Sequence, residues 1–429
     1  MLALLLAALF QVQPSVPQDS VAAPPPAAPE ASGDTLVAPP FAPGPSGEGD
    51  DDSRFRIRPR LAPSALYSET RGFGIAGGVL LENAVWPGSE TALDLRLSER
   101  YQGAALSVYT SDPFSSPLYG LFQAEASTTT RRRYYGVGPF SSEANRLFLD
   151  FASVQAEARM GAYPLGNTGL YLQPGARFLL DRLRNIEEDQ GQALERLAAS
   201  DPVSFDAVQE PLDETRHGVS VGLQVASDLR DWRAYPRRGT FVSVEGRRFF
   251  STDGSGLQFN RLGVNTLGYL PIRGRTALVG RANLVVTRAD EGDDIPFYYL
   301  PVLDPRLLTA YPPDRFVGRD VLALGGGIRF PIRDYRGIYG LDALVMGYLG
   351  NAYDSVFDQA SARVTFDPGP LARGEGVPLR PAIGIGLGIV NLDKERVVLG
   401  GLVGISPEGI SLASLRIAYD LRDARPLFR

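Results

Sequence analysis

His217 is the one histidine of this 429-residue chain, and cysteine is absent. Imidazole-based acid–base or nucleophilic chemistry therefore has one place to sit. A Ser-His-Asp relay needs its serine presented on a sharp strand-to-helix elbow, and no G-x-S-x-G elbow surrounds a plausible serine. His217 follows Arg216 at the start of an alternating segment, which reads as a polar residue at a strand rim. The acidic pairs Glu187-Glu188 and Asp293-Asp294 carry the oxygen ligands that Ca2+ takes, yet two carboxylates in a connection are ordinarily solvated charge. Gly325-Gly326-Gly327 lacks the Lys-Ser/Thr of a phosphate loop and lies inside a strand-like run, where glycine marks close packing against an inserted loop. Cysteine-based zinc sites, thiol catalysis and disulfides are excluded outright. These residues point to no catalytic centre, metal or cofactor, and so to a non-enzymatic protein.

What the rest of the chain positions is a sheet. Gly at 47 residues, with 18 Tyr and 21 Phe against 2 Trp, favours strands over helices. Thr91, Leu93, Leu95 and Leu97 alternate with Ala92, Asp94, Arg96 and Ser98, and Val219, Val221, Leu223 and Val225 alternate with Ser220, Gly222, Gln224, Ala226 and Asp228. Each segment has one apolar face and one polar or small face. Sixteen such segments are read, near 55–67, 71–82, 90–98, 103–110, 118–129, 145–160, 168–183, 216–228, 238–250, 256–269, 274–288, 320–331, 338–350, 377–388, 394–404 and 409–421. Several exceed soluble-strand length and suit tilted membrane crossings. No helical span of uncharged apolar residues follows the N-terminus. The expectation is an all-β membrane protein, a closed antiparallel transmembrane β-barrel of 16 strands, which would have no free edge.

The connections alternate in length. Those at 130–144, 184–215 and 289–319 are long and fall on the cell exterior in this reading, whereas 83–89, 161–167 and 270–273 are short and periplasmic. Trp86 and Trp232 fall on the periplasmic side, where an indole suits the headgroup level. Residues 186–200 read as a short amphipathic helix in an exterior loop. At the N-terminus, LALLLAALF over 2–10 has the length of a signal-peptide apolar core. Residues 1–20 are taken as signal-like, 21–53 as a Pro/Ala-rich disordered linker, and 54–429 as the folded unit with its long loop at 289–319. The ten prolines of residues 11–50 support the linker reading, since such a stretch buries too little to offset its ordering entropy. Forty-odd residues leave too little material for a soluble periplasmic domain. The net charge of −6 argues against nucleic-acid binding.

Four stretches, in order, resemble the bacterial surface antigen family, the outer-membrane assembly and secretion barrels whose best-known members are BamA and TamA. The first is PRLAPSALYSETRGFGIAGG, with Tyr67, Ser68, Glu69, Thr70, Gly72 and Gly74. The second is YYGVG at 134–138. The third is DLRDWRAYPRRGT, with Asp228, Arg230, Asp231, Pro236, Arg237, Arg238, Gly239 and Thr240. The fourth is YPPDRFVGRDVLALGGGIRFPI at 311–332. In PRRGT, proline initiates a tight turn, glycine accepts a backbone that other residues resist, and two arginines keep their heads in water. Asp228, Arg230 and Asp231 are placed to pair across the lower rim.

The resemblance implies a V/L-R-G-F/Y motif at the tip of the long loop, with its Arg reaching an Asp on the inward face of the next strand. Here Leu308, Thr309, Ala310 and Tyr311 occupy those positions, and MGYLGN places Tyr348 where the Asp would be while keeping Gly350. Both partners are exchanged together, which is near neutral, whereas losing one would strand a buried charge. Arg315, Arg319 and Asp320 are candidates for a substitute contact. The family further implies an envelope of Gram-negative type, contact with outer-membrane lipid, unfolded outer-membrane or secreted proteins as clients, and assembly-machinery partners. Client strands would add at a weakened seam between first and last strands. The alternative is a passive pore or structural barrel with a loop-plugged lumen, which the exchanges at Thr309, Ala310 and Tyr348 favour. Phe428, one residue from the end, matches the aromatic finish of outer-membrane strands, shifted by Arg429. The sequence predicts that the chain leaves cell envelopes with detergent alone; recovery in the soluble fraction without detergent would refute the membrane reading.

Overall fold

A computed structural model describes residues 56–68, 72–85, 89–110, 118–139, 141–162, 169–186, 190–209, 211–231, 235–290, 294–303, 308, 310–312, 314–367, 376–392 and 396–417. The signal-like and linker segments, Trp86, Trp232, Glu187, Glu188, Asp293, Thr309 and Phe428 lie outside them. Alternation of side chains produces β1 (Arg56–Ser68), β2 (Gly72–Glu82), β3 (Ser89–Ser98), β4 (Tyr101–Thr110), β5 (Leu118–Tyr134), β6 (Leu147–Ala162), β7 (Leu170–Ile186), β8 (Thr215–Asp228) and β9 (Gly239–Ser251). It continues through β10 (Gln258–Arg273), β11 (Thr276–Ala289), β12 (Asp320–Tyr335), β13 (Tyr339–Tyr353), β14 (Ala360–Val364), β15 (Val377–Asn391), β16 (Arg396–Ser406) and β17 (Gly409–Ile417). Each of the sixteen segments read from alternation overlaps one strand. β14, short and mostly exposed, was not foreseen.

The strands form a meander. Each pairs antiparallel with the next from β1 to β13, and the ladder then runs from β13 to β15, β16 and β17. β14 lies parallel to the start of β15, with Ala360 opposite Val377 and Val364 opposite Leu379.

The expected closed, sixteen-stranded, wholly antiparallel transmembrane barrel is corrected on three counts. Among the described residues the sheet has seventeen strands, one of them is parallel, and it is open where its ends meet. Among the described residues, β1 and β17 register at one pair, Tyr67 with Leu415, while β1 and β2 register from Arg56↔Glu82 to Ser68↔Gly72. The physical reason lies in β1. Pro59 and Pro63 supply no N–H, and the ladder to β2 shifts register between Arg60 and Ser64. A strand that lacks two donors and bends at a bulge does not sustain a second continuous ladder.

The polarity of the sheet is inverted relative to a soluble protein. Leu93, Leu95 and Leu97 are exposed, Leu95 by 54%, while Ala92 and Arg96, on the other face, are buried. On β8, Val221, Leu223 and Val225 are exposed and Ser220 and Gln224 buried. Apolar side chains therefore cover one face, and polar ones are enclosed on the other, here called the inner face. No helix among the described residues is long and apolar enough to cross a membrane, which says nothing against crossing by strands.

Between β7 and β8 the expected helix is present as α1 (Gly191–Ser200), and a second, α2 (Pro202–Gln209), follows it. Asp201 caps α2 by accepting from the Ser204 backbone (3.4 Å) and hydroxyl (2.5 Å), with Pro202 at the first helical position. Leu197 and Val208 bury against Tyr134, Leu147, Leu149 and Phe297, so the pair covers the ends of β5 and β6. Replacing Leu197 by Ala removes a fully buried side chain and is expected to cost about 2–5 kcal/mol, read as a lowered denaturant midpoint with unchanged strand content by circular dichroism.

Candidate functional site

The connection from β11 to β12 builds the site. Its two arms are joined by the Leu303 N–H donating to the Phe316 carbonyl (2.9 Å) and the Gly318 N–H to the Pro301 carbonyl (3.2 Å). Apolar residues of the loop, Leu303, Leu308, Ala310, Tyr311 and Phe316, pack on the inner face of β11 to β15 against Val279, Ala323, Met346, Tyr348 and Ala382. Tyr311 and Phe316 meet edge to face with centroids 4.9 Å apart. Tyr311 donates to the Pro381 carbonyl (3.2 Å). Burial raises its phenol above the ordinary range, and the nearby Glu408 carboxylate adds to the effect, so it stays a neutral donor.

Arg315 is the charged centre of the loop. It is 1% exposed, and its guanidinium grips Glu408 in the turn between β16 and β17, with Nη2 at 2.7 Å and Nε at 3.0 Å from the carboxylate oxygens. Its Nη1 donates to Ser141 Oγ (2.8 Å), and the cation lies over the Phe316 ring at 4.9 Å. Arg380 approaches the same carboxylate at 3.7 Å. The preceding residue, Asp314, pairs in two-pronged fashion with Arg132 of β5, at 3.1 and 3.3 Å. Such buried, charge-assisted pairs are costly to break because one partner's loss strands the other's charge.

The remaining expected residues divide. Asp320 is wholly buried and pairs with Arg288 (2.9 Å to Nη2), while it also accepts from the backbone of Thr287 (3.2 Å) and Val356 (2.8 Å). Tyr348 is buried on the inner face, and Gly350 leaves room for the loop, since a Cβ there would stand 3.2 Å from Leu303 Cδ2. Arg319 is not brought to the site: it is half exposed and pairs with Asp294 at 3.5 Å. Of the glycine run, Gly325 and Gly327 accommodate Tyr348 and Met346 of β13 rather than the loop, and Gly326 faces open space.

At the opposite end, the connection from β8 to β9 holds the expected turn residues. Arg230 pairs with Asp228 (2.8 and 2.9 Å), and Asp231 accepts from the backbones of Arg237 (2.9 Å) and Arg238 (3.2 Å). Gly239 has φ +99° and presses on the Leu229 carbonyl, so a side chain is excluded there. Pro236 accepts a hydrogen bond from Arg329 of β12, whose guanidinium stacks 3.8 Å over the Tyr235 ring, and Tyr235 bonds to Asp342 of β13.

Sequence reasoning missed Glu408, Asp314, Arg132, Tyr235, Arg329 and Asp342. It also missed a hub on the inner face of β6 to β9, where Glu157 pairs with Arg159 (2.8 Å), Arg177 (2.9 Å) and Arg247, and Arg247 also pairs with Glu245 (2.6 Å). The signal was a charged residue at period two between exposed aliphatics. His217 stands at the rim beside Thr252 Oγ1 (2.7 Å), and Asp253 bonds its backbone N–H (3.2 Å). Sequence reasoning also overlooked that Gly218-Val219-Ser220-Val221-Gly222 spells the G-x-S-x-G pattern beside His217; it runs straight through β8, so no strand-to-helix elbow presents Ser220.

No family profile matches the chain, and no curated protein matches it either. Among solved structures, it is similar to BamA from Haemophilus ducreyi lacking POTRA domains 1-3, at 14% identity and TM-score 0.58, covering 84% of this chain and 69% of that one. It also matches CdiB from Acinetobacter baumannii, at 11% identity and TM-score 0.45 over 85% and 64% of the two chains. CdiB from Escherichia coli matches at 8% identity and TM-score 0.48 over 82% and 62%. The chain thus spans less than two thirds of either CdiB, and the likeness to BamA is one of fold. Asp320→Ala is expected to destabilise the fold by about 1–3 kcal/mol, because it leaves the buried Val356 N–H without its acceptor, measured as a lowered denaturant midpoint; a shift equal to that of a surface Asp→Ala control would contradict the assignment.

Proposed function

We propose that this chain is a non-enzymatic outer-membrane protein of the assembly or translocation kind, in a Gram-negative-type envelope. The observation that carries the reading is the inverted polarity of the sheet, an aliphatic face outward over a charged inner face, on a fold like that of BamA. Its exposed leucines and valines meet outer-membrane lipid. Its clients are unfolded outer-membrane or secreted proteins, and assembly-machinery proteins are its partners. The sheet ends β1 and β17, joined at one registered pair among the described residues, offer backbone groups to a client strand. In this reading Ala310, Tyr311, Arg315 and Asp320 anchor the long loop against Tyr348 and Gly350, and the Asp228–Gly239 turn braces the periplasmic end.

A second reading, a passive or structural membrane protein whose inner face is plugged, is favoured by the packing of the loop on β11 to β15. Reconstitution into liposomes with an unfolded outer-membrane protein as client separates the two. Faster client insertion than into protein-free liposomes is expected; no acceleration by folded protein would favour the structural reading.

A further inference from the structure

We propose that Asp314 and Arg315 form a clasp that holds the two ends of the sheet together where the ladder does not. The seam lies between β1 and β17. On one side the ladder continues through β2, β3 and β4 to β5, and on the other it begins with the β16–β17 hairpin. Asp314 binds Arg132 on β5, and the very next residue binds Glu408 in the turn of that hairpin. Two adjacent residues of one loop therefore hold opposite flanks of the seam. Ser141, in the connection after β5, reinforces the first flank through Arg315 Nη1 (2.8 Å).

The clasp is stiff. Its backbone is tied by the Leu303–Phe316 hydrogen bond, and Tyr311 and Phe316 lock its underside into the apolar cluster. A buried guanidinium that loses its carboxylate is left with an uncompensated charge, so breaking this pair is costly. When the loop lifts, the last hairpin loses its tie to β5, and the one pair registered between β1 and β17 among the described residues is left to resist separation. Lifting then exposes unpaired N–H and C=O groups on β1 and β17. The clasp gives the proposed client-binding edge its regulation, and in that use it rests on the functional reading above; its mechanics do not.

The test uses the full chain in detergent micelles with Tyr67→Cys and Leu415→Cys, directly opposite on the two strands and so within disulfide reach. The rate of disulfide formation with a mild oxidant reports seam closure. Asp314→Asn and Glu408→Gln are each expected to slow it by about tenfold, the scale of one charge-assisted hydrogen bond. Arg315→Gln combined with Glu408→Gln is expected to be no slower than either alone, as partners in one pair require. Parent-like rates in both single variants, with strand content retained by circular dichroism, would overturn the clasp, as would full additivity of the double variant. Failure to accelerate client insertion in liposomes would overturn the function instead and leave this result standing.

Discussion

Every backbone N–H and C=O in a sheet with an apolar outward face must find its partner in a neighbouring strand, because nothing on that side replaces it. From β2 to β16, β14 apart, the requirement is met by long ladders; β5 and β6 alone register from Leu118↔Ala162 to Tyr134↔Leu147. It is hardest to meet at β1, whose prolines at 59 and 63 withhold donors and whose register to β2 shifts between Arg60 and Ser64. The open seam is therefore a local consequence of proline chemistry in one strand. The rest of the architecture can be understood as what compensates for it.

Compensation comes from the inner face. Burying Glu157 among three arginines, or Arg315 against Glu408, gains little net stability over an apolar filling, yet each pair fixes which strands and loops meet. The Glu157 hub joins β6, β7 and β9, on the part of the meander remote from the seam. Arg315 and Asp314 act at the seam's outer end, while Tyr235, Arg329 and Asp342 draw the β8–β9 connection toward β12 and β13. Charge pairs thus specify arrangement where backbone ladders cannot reach.

Period-two alternation was legible because each leucine of 91–98 or valine of 219–225 fixes the face of its neighbours, whatever their environment. Which face is buried was not settled by that pattern; it required knowing that the Arg96 and Gln224 side is enclosed. β14 escaped notice because five exposed residues, ASARV, carry no apolar stripe to signal a strand. Gly239 was legible as a turn residue, and its positive φ follows from the approach of the Leu229 carbonyl. The glycines at 325 and 327 were assigned to the wrong neighbour, since their contacts come from the adjacent strand in the ladder.

Arg315 could be named from sequence as a candidate, but Glu408, which stands 93 residues away, could not, since nothing local distinguishes one acidic turn residue from another. The seam behaves in the same way. Proline positions in β1 are written in the sequence, but their effect depends on β17 being the neighbour that is short-changed. The sequence by itself determined every strand named above except β14, their two faces and the absence of cysteine, because these rest on residue type and spacing of one to four positions. Only the tertiary structure decided that the sheet is open and which charges hold its ends, because those outcomes depend on contacts between residues that the chain separates by scores to hundreds of positions.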